Sequence, residues 1–333
     1  MKSKLLTFLK YLIGLSIAGG LLWYVFHDWE LDFLISRLDQ VNYSWVYLSV
    51  LLSIISHVIR AYRWNLLLNP LGYNHLTTFR TFLAVMIGYF VNLLAPRAGE
   101  ITRCSIMKKN DDVNMSVSLG SVVAERIVDL MGLIIVIALG LILQFDRLSG
   151  FMNDFIQDKS DSVHMSNTAL QSIAGFGVVV VIALLVLWWF RSRIKRLPVY
   201  FKLRSFAVEL ADGFTSVLKL ENKPGFWIST ILIWVFYFSM AYVVVFAVPT
   251  TSHLGLLAGL SILIMGGLAM SAPVQGGFGT YHLFVSAILV LYGVSNDDGL
   301  FFATLLHSSQ TLSILFFGGL SFIISFRLKK RKN

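Results

Sequence analysis

The chain runs to 333 residues, of which 56% are apolar and only 14% charged, against roughly 25% charged in a soluble domain; with a mean hydropathy of +0.74, a soluble globular fold is excluded and many membrane spans are expected. The net charge of +9 does not point to nucleic acid, because the basic residues fall in short connections between apolar stretches, where they set membrane orientation. The single cysteine, Cys104, excludes an intrachain disulfide and a cysteine metal cluster.

A helix needs about 20 apolar residues to cross the hydrocarbon core. The first candidate span is 8–26, preceded by Lys2 and Lys4 and running into Trp23, Tyr24 and Trp29. That pattern suits a retained helix with an interfacial aromatic belt better than a cleaved signal peptide. Residues 30–41 read as a short amphipathic surface helix. A second span covers 43–59 and ends at His57, Arg60 and Arg63, with the two arginines expected to act as anchors on the inner side. Next comes an apolar region, 79–107, then a span at Met115–Leu143 and another at 169–190. The mixed basic segment 191–222 reads as interfacial helix. Residues 226–248 form a further span, 254–292 a second long apolar region, and 300–326 the last span.

Both long regions are interrupted by the same frame. The first copy is Ala95-Pro96-Arg97-Ala98-Gly99 and the second is Ala272-Pro273-Val274-Gln275-Gly276. Pro removes a backbone donor and Gly weakens a helix, so each apolar run must break there. Broken backbone at membrane depth is tolerated only inside protein or beside a water-filled cavity. With the N-terminus inside, the basic groups around Arg80, Lys108/Lys109, 191–204 and 327–332 all fall inside, and the loops left outside carry mostly acids, such as Asp297 and Asp298. Both flanks of the first broken region then lie inside and both flanks of the second lie outside. The expected architecture is an all-α polytopic bundle with two re-entrant helical hairpins. It forms one integral membrane domain over 1–333, built as an inverted repeat of about 1–145 and 165–328, with hairpin tips meeting near the midplane.

Candidate site residues cluster at the breaks. Arg97, Glu100 and Arg103 follow the first Pro at a spacing of three and share a face if the returning arm is helical. The planar fork of Arg suits phosphate. Glu125, Arg126 and Asp129 lie inside Met115–Leu143, and charges within a span normally face a cavity or a partner. Glu125 and Asp129 share a face, whereas Arg126 points about 100° away from Glu125 and is expected to pair elsewhere, with Glu100 or a lipid phosphate. At the second tip, Pro273, Gln275, Gly276, Gly277, Gly279 and Tyr281 form a glycine-rich turn. Its backbone can approach a ligand closely, and the following helix N-terminus offers amides to an anion. His307 and Gln310 lie three apart in the last span. Asp111, Asp112 and Asn114 read as a solvated helix start rather than a metal site. Metalloprotease, P-loop and nucleophile-elbow signatures are missing, so no catalytic residue, cofactor or metal is expected.

The stretch Val91 to Glu100 with Arg103, then Ala124-Glu125-Arg126-Ile127-Val128-Asp129, then Pro273, Gly276, Gly277 and Gly279, resembles the flippase-like family typified by the transmembrane region of lysylphosphatidylglycerol synthase. The resemblance covers nearly the whole chain. It implies movement of lipids between leaflets; the aminoacyl-transferase domain of fused family members is not expected here. The expected function is therefore translocation of an anionic phospholipid or lipid-linked intermediate across the cytoplasmic membrane, with both termini cytoplasmic. Arg97, Arg103 and Arg126 would hold the phosphate. Glu100, Glu125 and Asp129 would hold the guanidiniums or exchange protons, and the second tip would form the opposing gate. A homodimer is compatible with this plan. Two rivals stand beside it: an intramembrane enzyme acting on a lipid-linked sugar or phospholipid with Glu100 or Asp129 as base, and a non-transporting accessory subunit that uses 191–204 to hold a partner.

Overall fold

Where the sequence supplies a cap or a break, a helix starts or stops. The computed structural model describes residues 20, 36–95, 97–144, 217–272 and 274–328, and its ordered elements are all helical, with no strand among the described residues. The expected spans at 8–26 (apart from Gly20) and 169–190, half of the surface helix and most of the basic segment fall outside the described residues, as do Pro96 and Pro273. Helix α1 (Tyr43–Leu68) starts where the Asn42 side chain accepts a hydrogen bond from the Ser44 amide. Helix α2 is Thr78–Leu94, capped by Thr77, and α3 is Ala98–Asp111. Helix α4 (Met115–Leu143) is capped by Asn114. Helix α5 is Lys223–Val243, capped by Asn222 and continued by a 3₁₀ turn, Val244–Ala247. Helix α6 is Leu256–Ser271, followed by a 3₁₀ turn at Gln275–Gly277, then α7 (Thr280–Val290). Helix α8 (Asn296–Arg327) is capped by Ser295 and carries Asp297 and Asp298 in its first turn, where negative charge is favoured.

Among the described residues, four helical stretches are long and apolar enough to cross a membrane: Tyr43–Leu71, Met115–Leu143, Lys223–Ala247 and Asn296–Arg327. The chain is an all-α, multi-span membrane protein. The other four helices have 17, 14, 16 and 11 residues. At 1.5 Å per residue even the longest falls short of about 30 Å of hydrocarbon.

These short helices fold back in pairs. Arg80, at the start of α2, donates to the Asp111 carboxylate (2.5 Å) and the Asn110 carbonyl (3.0 Å) at the end of α3. Close approach of the two arms requires Gly99, because a Cβ there would collide with the Gly88 carbonyl oxygen. The α6–α7 pair closes in the same way: Tyr292, just past α7, bonds to the Leu257 carbonyl at 3.1 Å near the start of α6.

Helices α1 and α5 run antiparallel, since Ser49 bonds to the Met240 carbonyl (2.6 Å) while Arg63 bonds to Thr230 (3.3 Å). One apolar core gathers Val41, Val46, Val244, Val248, Leu254 and Leu289 around the second hairpin. The other gathers Leu67, Leu68, Leu76, Val113 and Phe226 around the first. The open ends of the two hairpins therefore lie at opposite ends of the α1–α5 pair.

Two expectations need correction. Helix α1 does not stop near 59 but continues to Leu68, because Arg60 and Arg63 find buried carboxylates and need no solvent. Asp111 is not solvated: it closes α3, is 1% exposed and pairs with Arg80. Only Asn114 acts as the expected helix start.

Candidate functional site

Five charged side chains from three helices converge beside the first hairpin. Glu125 of α4 is fully buried and accepts from Arg60 (2.8 Å) and Arg63 (3.4 Å) of α1 and from Arg103 (2.8 Å) of α3. Asp129, one turn further along α4, accepts from Arg60 (2.9 Å) and Arg63 (2.6 Å). The i, i+4 spacing of the two carboxylates puts both on the face that meets α1. Taking charges out of water costs several kcal/mol each, and only multiple close partners offset it. Here each carboxylate has at least two guanidiniums. Arg103 also stacks over the Trp64 ring at 4.5 Å, and Trp64 is itself fixed by a bond from its indole nitrogen to Ser121 at 2.9 Å.

Among the described residues, three guanidiniums thus face two carboxylates, which leaves the buried group with one net positive charge. It approaches the surface through Arg103, which lines a narrow open cleft together with Tyr89, Asn92, Glu100 and Arg126. At the mouth, Arg126 donates to Glu100 at 2.7 Å, and their side chains are 45% and 23% exposed. Arg126 therefore turns away from Glu125, as its place on the helix requires, and meets the Glu100 partner anticipated from the sequence. The cleft floor depends on the hairpin turn. Arg97 adopts a left-handed conformation (φ 62°) at the start of α3, and the Asn92 side chain accepts from the Gly99 amide at 2.8 Å. Arg97 itself is exposed.

The second tip packs against the first. Gln275 donates to the Leu94 carbonyl at 3.2 Å. Gly276, Gly277 and Gly279 all have positive φ (57°, 73° and 80°), which is where glycine is needed. His307 bonds to the Gly276 carbonyl at 2.8 Å and stacks on Tyr281 with ring centroids 5.0 Å apart. Gln310 instead donates to Ser49 at 2.9 Å. The amide of Gly279 is taken by His282 at 3.2 Å. Of the residues singled out in the sequence, Glu100, Arg103 and Arg126 share the cleft, with Glu125 and Asp129 beside Arg103 in the ion network. Gln275, Gly276, Gly277, Gly279, Tyr281, His307 and Gln310 do not line it, and Pro273 lies outside the described residues.

The family model for the transmembrane region of lysylphosphatidylglycerol synthase matches residues 11–318. The chain belongs to this family. A UPF0104 membrane protein of Methanocaldococcus jannaschii is similar, with 30% identity over 132 residues, or 38% of this chain and 36% of that protein. The match thus spans little more than a third of that relative's length. No solved structure matches the chain significantly.

For this member of the family, sequence reasoning missed Arg60, Arg63, Asn92 and Tyr89. A signal for the arginines was present. Ser49, Ser53, Ser56, His57, Arg60 and Arg63 recur at helical spacing, and all six are buried. A polar stripe on an otherwise apolar helix faces inward, and the two arginines simply extend it.

Proposed function

We propose that the protein translocates an anionic, phosphate-bearing lipid between the leaflets of the cytoplasmic membrane, with no covalent change to the lipid. One observation carries this reading: the buried Arg60–Arg63–Arg103–Glu125–Asp129 group holds one more cation than anion and reaches a cleft at the first hairpin tip. An uncompensated buried charge is costly, and a phosphate in the cleft would balance it. Arg103 and Arg126 would meet the phosphate oxygens, with Arg97 attracting the head group from the exposed turn. Glu125 and Asp129 would keep the guanidiniums fixed rather than act as bases.

The pattern of helix packing supports an inverted repeat. Helix α1 packs on α5; α2 packs on α8 as α6 packs on α4; α3 packs on α4 as α7 packs on α8. This is the pairing expected if α1–α4 and α5–α8 are related halves. By the positive-inside rule the basic residues Arg80, Lys108, Lys109 and Arg327 would set the base of the first hairpin on the cytoplasmic side, and the base of the second, at the other end of the α1–α5 pair, would then lie outside. Both hairpins would then be re-entrant, and lipid would cross as one half rocks against the other. Membership in a family named for a lipid synthase's membrane region supports a lipid as the ligand.

The test is leaflet exchange in vesicles containing the purified full chain and fluorescent phosphatidylglycerol. Exchange should exceed that of protein-free vesicles and fall toward it with Arg126→Ala. Equal rates with and without protein would overturn the proposal.

A further inference from the structure

Arg126 reaches the cleft mouth already engaged by Glu100, and this pairing differs in kind from the ion pairs beside it. The Glu100–Arg126 bond is a single 2.7 Å contact between side chains 23% and 45% exposed. Glu125 is fully buried and held by three arginines. An exposed pair contributes little to stability and opens readily. Stripping a partner from a buried pair leaves an uncompensated charge and is strongly destabilising. Of the two carboxylates bonded to the cleft's arginines, only Glu100 can be exchanged cheaply.

The placement of Glu100 fits such an exchange. It lies in the first turn of α3, immediately past the break, where the helix dipole favours any anion, a carboxylate or a phosphate alike. One carboxylate oxygen takes the Arg126 bond, while the other is buried with no hydrogen-bond partner among the described residues, so of the described side chains Arg126 is the one that holds the group by a hydrogen bond. We infer that Glu100 competes with the substrate phosphate for Arg126. The carboxylate holds the guanidinium until a phosphodiester with no cation in its own head group displaces it, so the cleft discriminates by net charge: a lipid whose phosphate is already balanced by its own ammonium opens the pair less readily. This rests on the anionic-lipid reading above and names the residue that sets its threshold.

The experiment measures binding of short-chain phosphatidylglycerol to the purified full chain in detergent by calorimetry, with short-chain phosphatidylcholine as control. Wild type should prefer the glycerol lipid, and Arg126→Gln should weaken its binding. Glu100→Gln and Glu100→Ala should both tighten it, by about two- to fivefold for a pair of this exposure. In the Arg126→Gln background, Glu100→Gln should add nothing. Weaker binding in both Glu100 variants, or the same gain with and without Arg126, would overturn the competition while leaving the anionic-lipid reading intact. Wild type that binds the two lipids equally would overturn both.

Discussion

Gln275 donates its side-chain amide to the backbone carbonyl of Leu94 across 3.2 Å, joining positions 181 residues apart. Leu94 adjoins the first Ala-Pro-x-x-Gly frame and Gln275 lies within the second, so the two breaks in the chain meet. Leu93 also faces Gly276, where an added Cβ would lie 3.2 Å from the leucine side chain. In a Cys104→Ser background, Leu93→Cys with Gly276→Cys should therefore be joined by a short thiol-reactive cross-linker, detected as a linked peptide by mass spectrometry. Cysteine at Gly276 costs about 1–2 kcal/mol for its left-handed backbone, which the folded chain should tolerate. Failure to link in a folded protein would mean that the tips stand apart.

The two acid–base groups of the site should differ sharply in their effect on stability. Glu125→Ala leaves buried Arg103 without its carboxylate and makes Arg60 and Arg63 share Asp129 alone, and should cost about 3–5 kcal/mol. Arg126→Ala breaks one half-exposed pair and should cost about 1 kcal/mol or less. Thermal unfolding in detergent checks this: a large drop in midpoint is expected for the first variant and a small one for the second. Similar drops would contradict the separation of a rigid ion network from an exchangeable pair.

Polar clamps close both ends of the molecule at equivalent places. At one end Asn110, near the end of α3, donates to Ser325 near the end of α8 (2.8 Å), and Lys109 lies 4.0 Å over the Phe326 ring. At the other, Tyr292, after α7, bonds to Gln144 at the end of α4, and Ser261 joins them. If the halves rock, each clamp must open in turn. Cleavable cross-links between cysteines placed at 110 and 325 or at 144 and 292, again without Cys104, should each stop leaflet exchange, and cleaving them should restore it. Undiminished exchange through a closed cross-link would remove that clamp from the mechanism.

His307 serves the second tip by holding the Gly276 carbonyl. His307→Phe keeps an aromatic ring against Tyr281 but removes the hydrogen bond, at a cost of about 0.5–1.5 kcal/mol. Hydrogen exchange should quicken in the turn at Gln275–Gly277 and leave α1 unchanged. No change at the tip would show that the bond does not secure it.

Much of the arrangement was legible in the sequence because it is written in local chemistry. Pro and Gly marked the breaks, Asn114 marked a helix start, and the spacing of four between Glu125 and Asp129 placed both on one face. The roughly 100° offset of Arg126 from Glu125 likewise anticipated its turn toward Glu100. Arg60 and Arg63 were not legible in the same way. Hydropathy ends a span at its first charges, and charge counting reads them as anchors; only the carboxylates of α4, 62 to 69 positions away, turn them inward. The second tip shows a different limit. Its glycines were expected at the head group, yet the glycine conformations serve a tight turn, which Gln275 joins to Leu94 and His307 holds through the Gly276 carbonyl. A glycine-rich turn looks the same in sequence whether its backbone faces a ligand or another part of the protein.

The central claim, that an anionic lipid sits on Arg103 and Arg126 at the first hairpin tip, is tested most directly by native mass spectrometry of the gently extracted full chain beside its Arg126→Gln variant. The account predicts a retained phospholipid of net negative charge on the wild type and its loss, or marked depletion, in the variant. Equal retention by both, or a wild type carrying only zwitterionic lipid, would contradict it.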